Sequence, residues 1–150
     1  MQTYPTGYAQ SHRMAEHIFR DILPRRGMAV REEQIALCHE ILDTLYNKEI
    51  SLCEAGVGIG KTLAYLVACV LWQMNRPDRL KLPVVISTSS VVLQDAIIND
   101  YLPNLSAILL EEGIIQAPLT AVIRKGKERF VCDARLAERA SLVPPKRTRE

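Results

Sequence analysis

The sequence predicts an α/β fold, a three-layer parallel sheet with flanking helices, and three observations carry that expectation. Strand-like apolar runs alternate with helical patterns in the rhythm of βαβ units. The run Pro83-Val-Val-Ile-Ser-Thr88 is β-branched and continuous, as strands buried on both faces are. The segment Lys61 to Met74 is apolar nearly all round, with Leu63, Ala64, Leu66, Val67, Val70, Leu71 and Trp72. A helix with no polar face must be buried on more than one side, here by the sheet beneath and another layer above.

In chain order, Ser11 to Leu23 sets Met14, Ile18, Phe19 and Ile22 at helical spacing, with Pro24 as its stop. Arg25 to Val30, containing Gly27, reads as a loop. A second helix is predicted from about Arg31 to Tyr46, with Ile35, Cys38, Ile41, Leu42 and Leu45 as its apolar stripe. Glu49 to Glu54 reads as a short strand. A glycine-rich turn and the helix Lys61 to Met74 follow, stopped by Asn75 and Pro77. After the strand Pro83 to Thr88, Ser89 and Ser90 supply an N-cap for a helix from about Val91 to Tyr101, ended at Pro103. Leu105 to Glu112 reads as another helix, Leu119 to Ile123 as a third strand and Cys132 to Ala140 as a last helix. The tail from Pro144 to Glu150 is Pro-rich and basic.

Composition narrows the class. With 150 residues, 48% hydrophobic, 24% charged and a net charge of +2, the chain has the profile of one globular domain. A pI near 8.4 permits an anionic partner without demanding one. Met1 to Gln10 holds no apolar run, against a signal peptide. The longest uncharged apolar stretch, Thr62 to Met74, is too short for a bilayer, which takes roughly 20 residues of helix. The expectation is a soluble cytoplasmic chain with no membrane partner. Cys38, Cys53, Cys69 and Cys132 are scattered, with no Cys-x-x-Cys pair and no His at ligand spacing, which speaks against zinc. The first three sit in apolar segments, as small hydrophobes do; Cys132 lies in a basic one.

The chemistry concentrates in Glu54-Ala-Gly-Val-Gly-Ile-Gly-Lys-Thr62, which joins a predicted strand to a helix. This is the phosphate-binding P-loop (Walker A) pattern, with Ala55 where the first glycine usually stands. Gly56, Gly58 and Gly60 remove side chains, so that successive backbone amides, with those of Val57 and Ile59, can turn inward around a phosphate. The positive end of the helix that begins near Lys61 faces the same point. Lys61 can reach the β- and γ-phosphates of ATP, and the Thr62 hydroxyl can ligate Mg²⁺. The bland alternative is a glycine-rich turn before a core helix. A dinucleotide fingerprint counted from Gly56 fails, because its third glycine would fall at Lys61. No Asn-Lys-x-Asp segment for guanine is present, and about fifty residues precede the loop, unlike the usual small-metabolite kinase.

Four segments, taken in order, resemble the superfamily-2 DNA helicases of the DinG/XPD type, which carry an iron–sulfur cluster. Arg31-Glu-Glu-Gln34 looks like that family's Arg-x-x-Gln element, which implies an ATP site including Arg31 and Gln34, with Gln34 reading adenine. A side-chain amide offers the donor and acceptor that an adenine edge needs. Read without the resemblance, Gln34 is a surface residue at a helix start. Glu54 to Leu66 is similar to the family's Glu-Ala-Gly-Thr-Gly-Thr-Gly-Lys-Thr-Leu-Ala-Tyr-Leu, with Val57 and Ile59 replacing two threonines. Val84 to Gln94 is similar to helicase motif Ia, which implies contacts from Thr88, Ser89, Ser90 and Gln94 to a single-strand backbone. Read alone, those hydroxyls are ordinary helix caps. Lys125 to Cys132 looks like the lead-in to the first cluster ligand, and Lys125, Lys127 and Arg129 give Cys132 a basic surround.

The resemblance implies an incomplete RecA-like P-loop NTPase. A helical lead-in would span residues 1–30, the first part of the ATP-binding motor domain 31–124, and the truncated start of an iron–sulfur insertion 125–150. Its implied function is that of an ATP-dependent DNA helicase, coupling hydrolysis to translocation on single-stranded DNA, with Lys61 and Thr62 as catalytic residues and ATP and Mg²⁺ as cofactors. A [4Fe–4S] cluster takes four thiolates and no cysteine follows Cys132, so the cluster is expected in a full-length parent only. No Asp-Glu-x-His element appears either, so the missing remainder of the helicase counts among the expected partners. A nucleotide-binding adaptor and a small P-loop kinase remain as alternatives.

Overall fold

In the computed structural model, residues 6–75, 82–126 and 129–142 are described; Pro77, Lys127 and the tail from Pro144 lie outside them. The chain divides into two units, Met1–Leu119 and Thr120–Glu150. The first holds α1 (Tyr8–His17), a π-helical turn (Ile18–Ile22), α2 (Leu23–Arg25), α3 (Glu32–Asn47) and α4 (Lys61–Met74). It continues with α5 (Val91–Ala96), a second π-helical turn (Ile97–Tyr101) and α6 (Leu102–Glu111). The second unit holds α7 (Asp133–Leu142).

The core forms where α1 and α4 pack against α3. Ala15 and Ile18, Ile35, Cys38 and Leu42, and Ala64, Val67 and Leu71 are all buried in one cluster, which Leu105 and Leu109 of α6 also join. The all-round apolar surface of α4 is thus buried by helices. A polar seam fixes the start of α1: Asn75 Nδ2 donates to Ser11 Oγ (2.8 Å) and to the Leu71 carbonyl (2.9 Å), and Ser11 Oγ lies 2.8 Å from Tyr46 Oη. Gly7 enters that seam at φ +87°, where a Cβ would strike Asn75.

No strand occurs among the described residues, and this overturns the predicted three-layer parallel sheet. Glu49 to Glu54, Pro83 to Thr88 and Leu119 to Ile123 are irregular. Ile50 and Leu52 are fully exposed, Val85 is 85% exposed and Val122 91%. The physical reason is that β-branched content expresses a fit to a pleated, half-buried surface, and cross-strand pairs supply the stabilisation. Among the described residues no ladder pairs these segments. Cys53, expected as a small buried hydrophobe, is exposed for the same reason.

Pro24 and Pro103 do not end their helices. The carbonyls their rings would strike, four residues back, belong to Arg20 and Asn99. Both lie in the π-helical turns, which bond Leu23 N–H to Ile18 and Leu102 N–H to Ile97. The wider turn takes up the ring and the missing donor. Helix continues on both sides of each turn.

Candidate functional site

The glycine-rich segment is held between the start of α3 and the start of α4. Gly58 and Gly60 have φ of +84° and +86°, a conformation that side chains with a Cβ avoid. Gly60 caps α4, its carbonyl accepting from Leu63 N–H (3.1 Å) and Ala64 N–H (3.2 Å). Lys61 Nζ donates to the carbonyls of Ala55 (2.9 Å) and Gly56 (2.8 Å), so the ammonium closes the loop on itself. Val57 projects fully into solvent, while Ala55 and Ile59 are half-buried.

The structure brings Arg31 and Gln34 to this loop. Arg31 Nη1 donates to the Gly58 carbonyl at 2.6 Å, and Gln34 Nε2 to the Gly60 carbonyl at 2.8 Å. Gln34 is only 6% exposed and is no surface residue. A Cβ on residue 60 would collide with its amide, so the glycine there is required twice, by φ and by this close approach. Thr62 is bonded by Tyr65, whose hydroxyl burial pushes above the ordinary phenol value and Thr62 pulls back. Sequence reasoning passed over Tyr65; its place three residues after Thr62 on a helix was the available signal.

An open groove of about 650 Å³ adjoins the loop, lined by Glu33, Leu37, Glu40, Leu52, Glu54 and Gly56 among others. Its three carboxylates disfavour a triphosphate.

The other expected residues do not gather here. Thr88 Oγ1 accepts from Ser90 N–H (3.1 Å) and Ser90 Oγ from Leu93 N–H (3.2 Å), so Ser90 caps α5 and Thr88 holds the capping residue. Ser89 is exposed, and Gln94 N–H bonds the Ser90 carbonyl. Cys132 is exposed ahead of α7, its carbonyl accepting from Leu136 N–H at 2.8 Å. Among the described residues no group of three or more His, Cys, Asp or Glu could hold a metal ion. No described helix is long and apolar enough to cross a membrane.

No family model and no solved structure matches the chain. It is 33% identical over 117 residues to "3'-5' exonuclease DinG" of Bacillus subtilis, a match covering 78% of the chain and 11% of that protein. It is 35% identical over 63 residues to "Probable ATP-dependent helicase YpvA" of the same organism, covering 42% of the chain and 10% of the relative. A DinG protein of Staphylococcus aureus is 29% identical over 92 residues, 61% of the chain and 10% of its own length. The chain spans about a tenth of the length of these curated relatives. By sequence, then, it is related to the DinG-like helicases.

Proposed function

We propose that the chain is the ATP-binding part of a DNA helicase, with the loop from Ala55 to Gly60 and Lys61 receiving the phosphates. The observation that carries this reading is the Lys61 ammonium, placed on the loop's own carbonyls while Arg31 and Gln34 brace Gly58 and Gly60. When a phosphate arrives, Lys61 exchanges two neutral carbonyl acceptors for an anion. The exchange adds the attraction of opposite charges to bonds whose donor alone was charged. The positive end of α4 favours the same anion. In this proposal Gln34 keeps one amide hydrogen on the Gly60 carbonyl and offers adenine its carbonyl oxygen and its second amide hydrogen.

The residues fit Mg²⁺ at Thr62, whose hydroxyl is a hard oxygen ligand half-buried at the helix start; the ion would neutralise phosphate charge there. They do not fit a [4Fe–4S] cluster, for which Cys132 is one thiolate of four. In this reading, ATP hydrolysis is coupled to movement along single-stranded DNA. Ser89, exposed between two hydroxyls that already accept backbone amides, is the residue of its segment best placed to meet a backbone phosphate.

Calorimetric titration of the 150-residue chain with Mg–ATP tests the loop. Lys61→Ala is expected to cost about 1.5–3 kcal/mol of affinity, the scale of a hydrogen bond to a charged group. Unchanged binding in that variant would remove the loop from the phosphate site. For the motor, the full gene product should show ATPase activity stimulated by single-stranded DNA. A phosphorylated small-molecule product instead would favour a kinase.

A further inference from the structure

The seam between α1 and α3 holds a row of titratable side chains that the nucleotide loop does not use. His12 of α1 and His39 of α3 have ring planes within 5° of parallel and centroids 4.7 Å apart. Their Nδ1 atoms face each other at 2.6 Å. A centroid separation so much longer than the nitrogen separation sets the rings edge to edge, with the two nitrogens aimed at one another. Outward from the pair, His39 Nε2 lies 2.8 Å from Glu16 Oε1, and His12 Nε2 lies 3.1 Å from Asp43 Oδ1. Tyr8 Oη donates to that same Asp43 oxygen. Behind Glu16, Arg20 bonds it and also grips Glu32 of α3 with bonds of 2.7 and 2.8 Å. The buried Cys38 thiol feels Glu16 and, from α4, Cys69.

Proton counting limits this arrangement. A nitrogen–nitrogen contact this short needs one N–H and one lone pair. The Glu16 carboxylate can only accept, so His39 Nε2 carries a hydrogen. The two rings together therefore hold at most three hydrogens, which is one imidazolium shared across the pair. A fourth would set N–H against N–H and bring two cations to contact distance.

We propose that His12 and His39 form an acid-sensitive clasp between α1 and α3, closed while the pair carries at most one positive charge and opened when both rings are protonated. Burial, and next the neighbouring His39, hold the His12 imidazole below the ordinary histidine value, against a smaller pull upward from Asp43. A folded value below the unfolded one means that the stabilisation is present above the ordinary histidine range and lost as pH falls through it toward the folded value. Glu16, held low first by the His39 bond and then by Arg20, loses its own contribution only at more acidic pH. The loss between near-neutral and mildly acid pH therefore follows His12, whose neighbour across the seam is the His39 ring.

Hydrogen exchange by mass spectrometry on the 150-residue chain, corrected for the intrinsic pH dependence of exchange, tests the clasp. Between about pH 7.5 and about pH 5, protection across Tyr8–His17 is expected to fall about tenfold as the clasp opens. His39→Gln, with one imidazole in place of two, should hold that protection to within about threefold over the same range. An equal loss in the variant overturns the proposal. If His39→Gln does not fold at neutral pH, the imidazole ¹⁵N signals of the unaltered chain decide. Entry of the second proton together with loss of α1 protection supports the clasp; two charged rings with α1 still protected overturn it.

Discussion

Replacing Gly60 with alanine is expected to destabilise the chain by about 2–6 kcal/mol. Two costs add at this position. The backbone sits at φ +86°, which an L side chain tolerates only at about 1–3 kcal/mol. The new Cβ would also displace the Gln34 amide, removing its 2.8 Å bond to the Gly60 carbonyl and leaving a buried amide unsatisfied, at about 1–3 kcal/mol. The second cost disappears when Gln34 is already truncated. Gly60→Ala made in a Gln34→Ala background should therefore cost about 1–3 kcal/mol less than in the parent, a coupling readable by a double-mutant cycle in urea. Additive effects would show that the amide does not brace residue 60. Mg–ATP affinity should fall along with stability in the single Gly60 variant, because the same glycine shapes the loop.

Leu42→Ala is the other large effect, expected at about 2–5 kcal/mol. Leu42 is fully buried in the core cluster shared by α1, α3 and α4, and truncation there removes apolar contacts that the surrounding helices cannot easily close. The contrasting substitution is Val57→Thr, at a side chain wholly in solvent; it should stay within about 0.5 kcal/mol. Urea midpoints of the two variants give the comparison. A mild Leu42→Ala would mean that α3 is not packed against α1 and α4 as described. It would also weaken the case for the histidine clasp, which bridges α1 and α3.

Both sites were visible beforehand, Gly60 in the glycine-rich loop and Leu42 in the apolar stripe of the second predicted helix. The glycine-rich turn was legible from residues 54–62, because its conformational demands fall on named glycines in consecutive residues. The bounds of α4 were equally legible, since Gly60 caps it and an unbroken apolar run fills it. What braces the loop was only half legible. Arg31 and Gln34 could be picked out through resemblance, but not their bonds to the carbonyls of Gly58 and Gly60.

Helix bounds around Pro24 and Pro103 were misjudged because a proline reads as a stop only when the preceding turn is α-helical. The π-helical turns at Ile18–Ile22 and Ile97–Tyr101 remove that condition. The expected strands failed for a different cause. Val84, Val85 and Ile86 carry a pattern that suits a buried strand, yet strand pairing depends on a partner distant in sequence. Helical hydrogen bonds close within four or five residues, so composition and capping nearly suffice to specify them.

The sequence by itself determined the local features: where α3 and α4 run, where the chain turns on glycines, and that Lys61 and Thr62 open a helix behind a glycine-rich turn. Tertiary structure alone decided that helices rather than a sheet cover α4, that Gln34 is buried against Gly60, and that His12 and His39 meet across 27 residues of chain. Each of those depends on groups far apart in sequence being brought within hydrogen-bonding or van der Waals range. Residue pattern encodes the surface each helix offers, and packing selects which surface it meets.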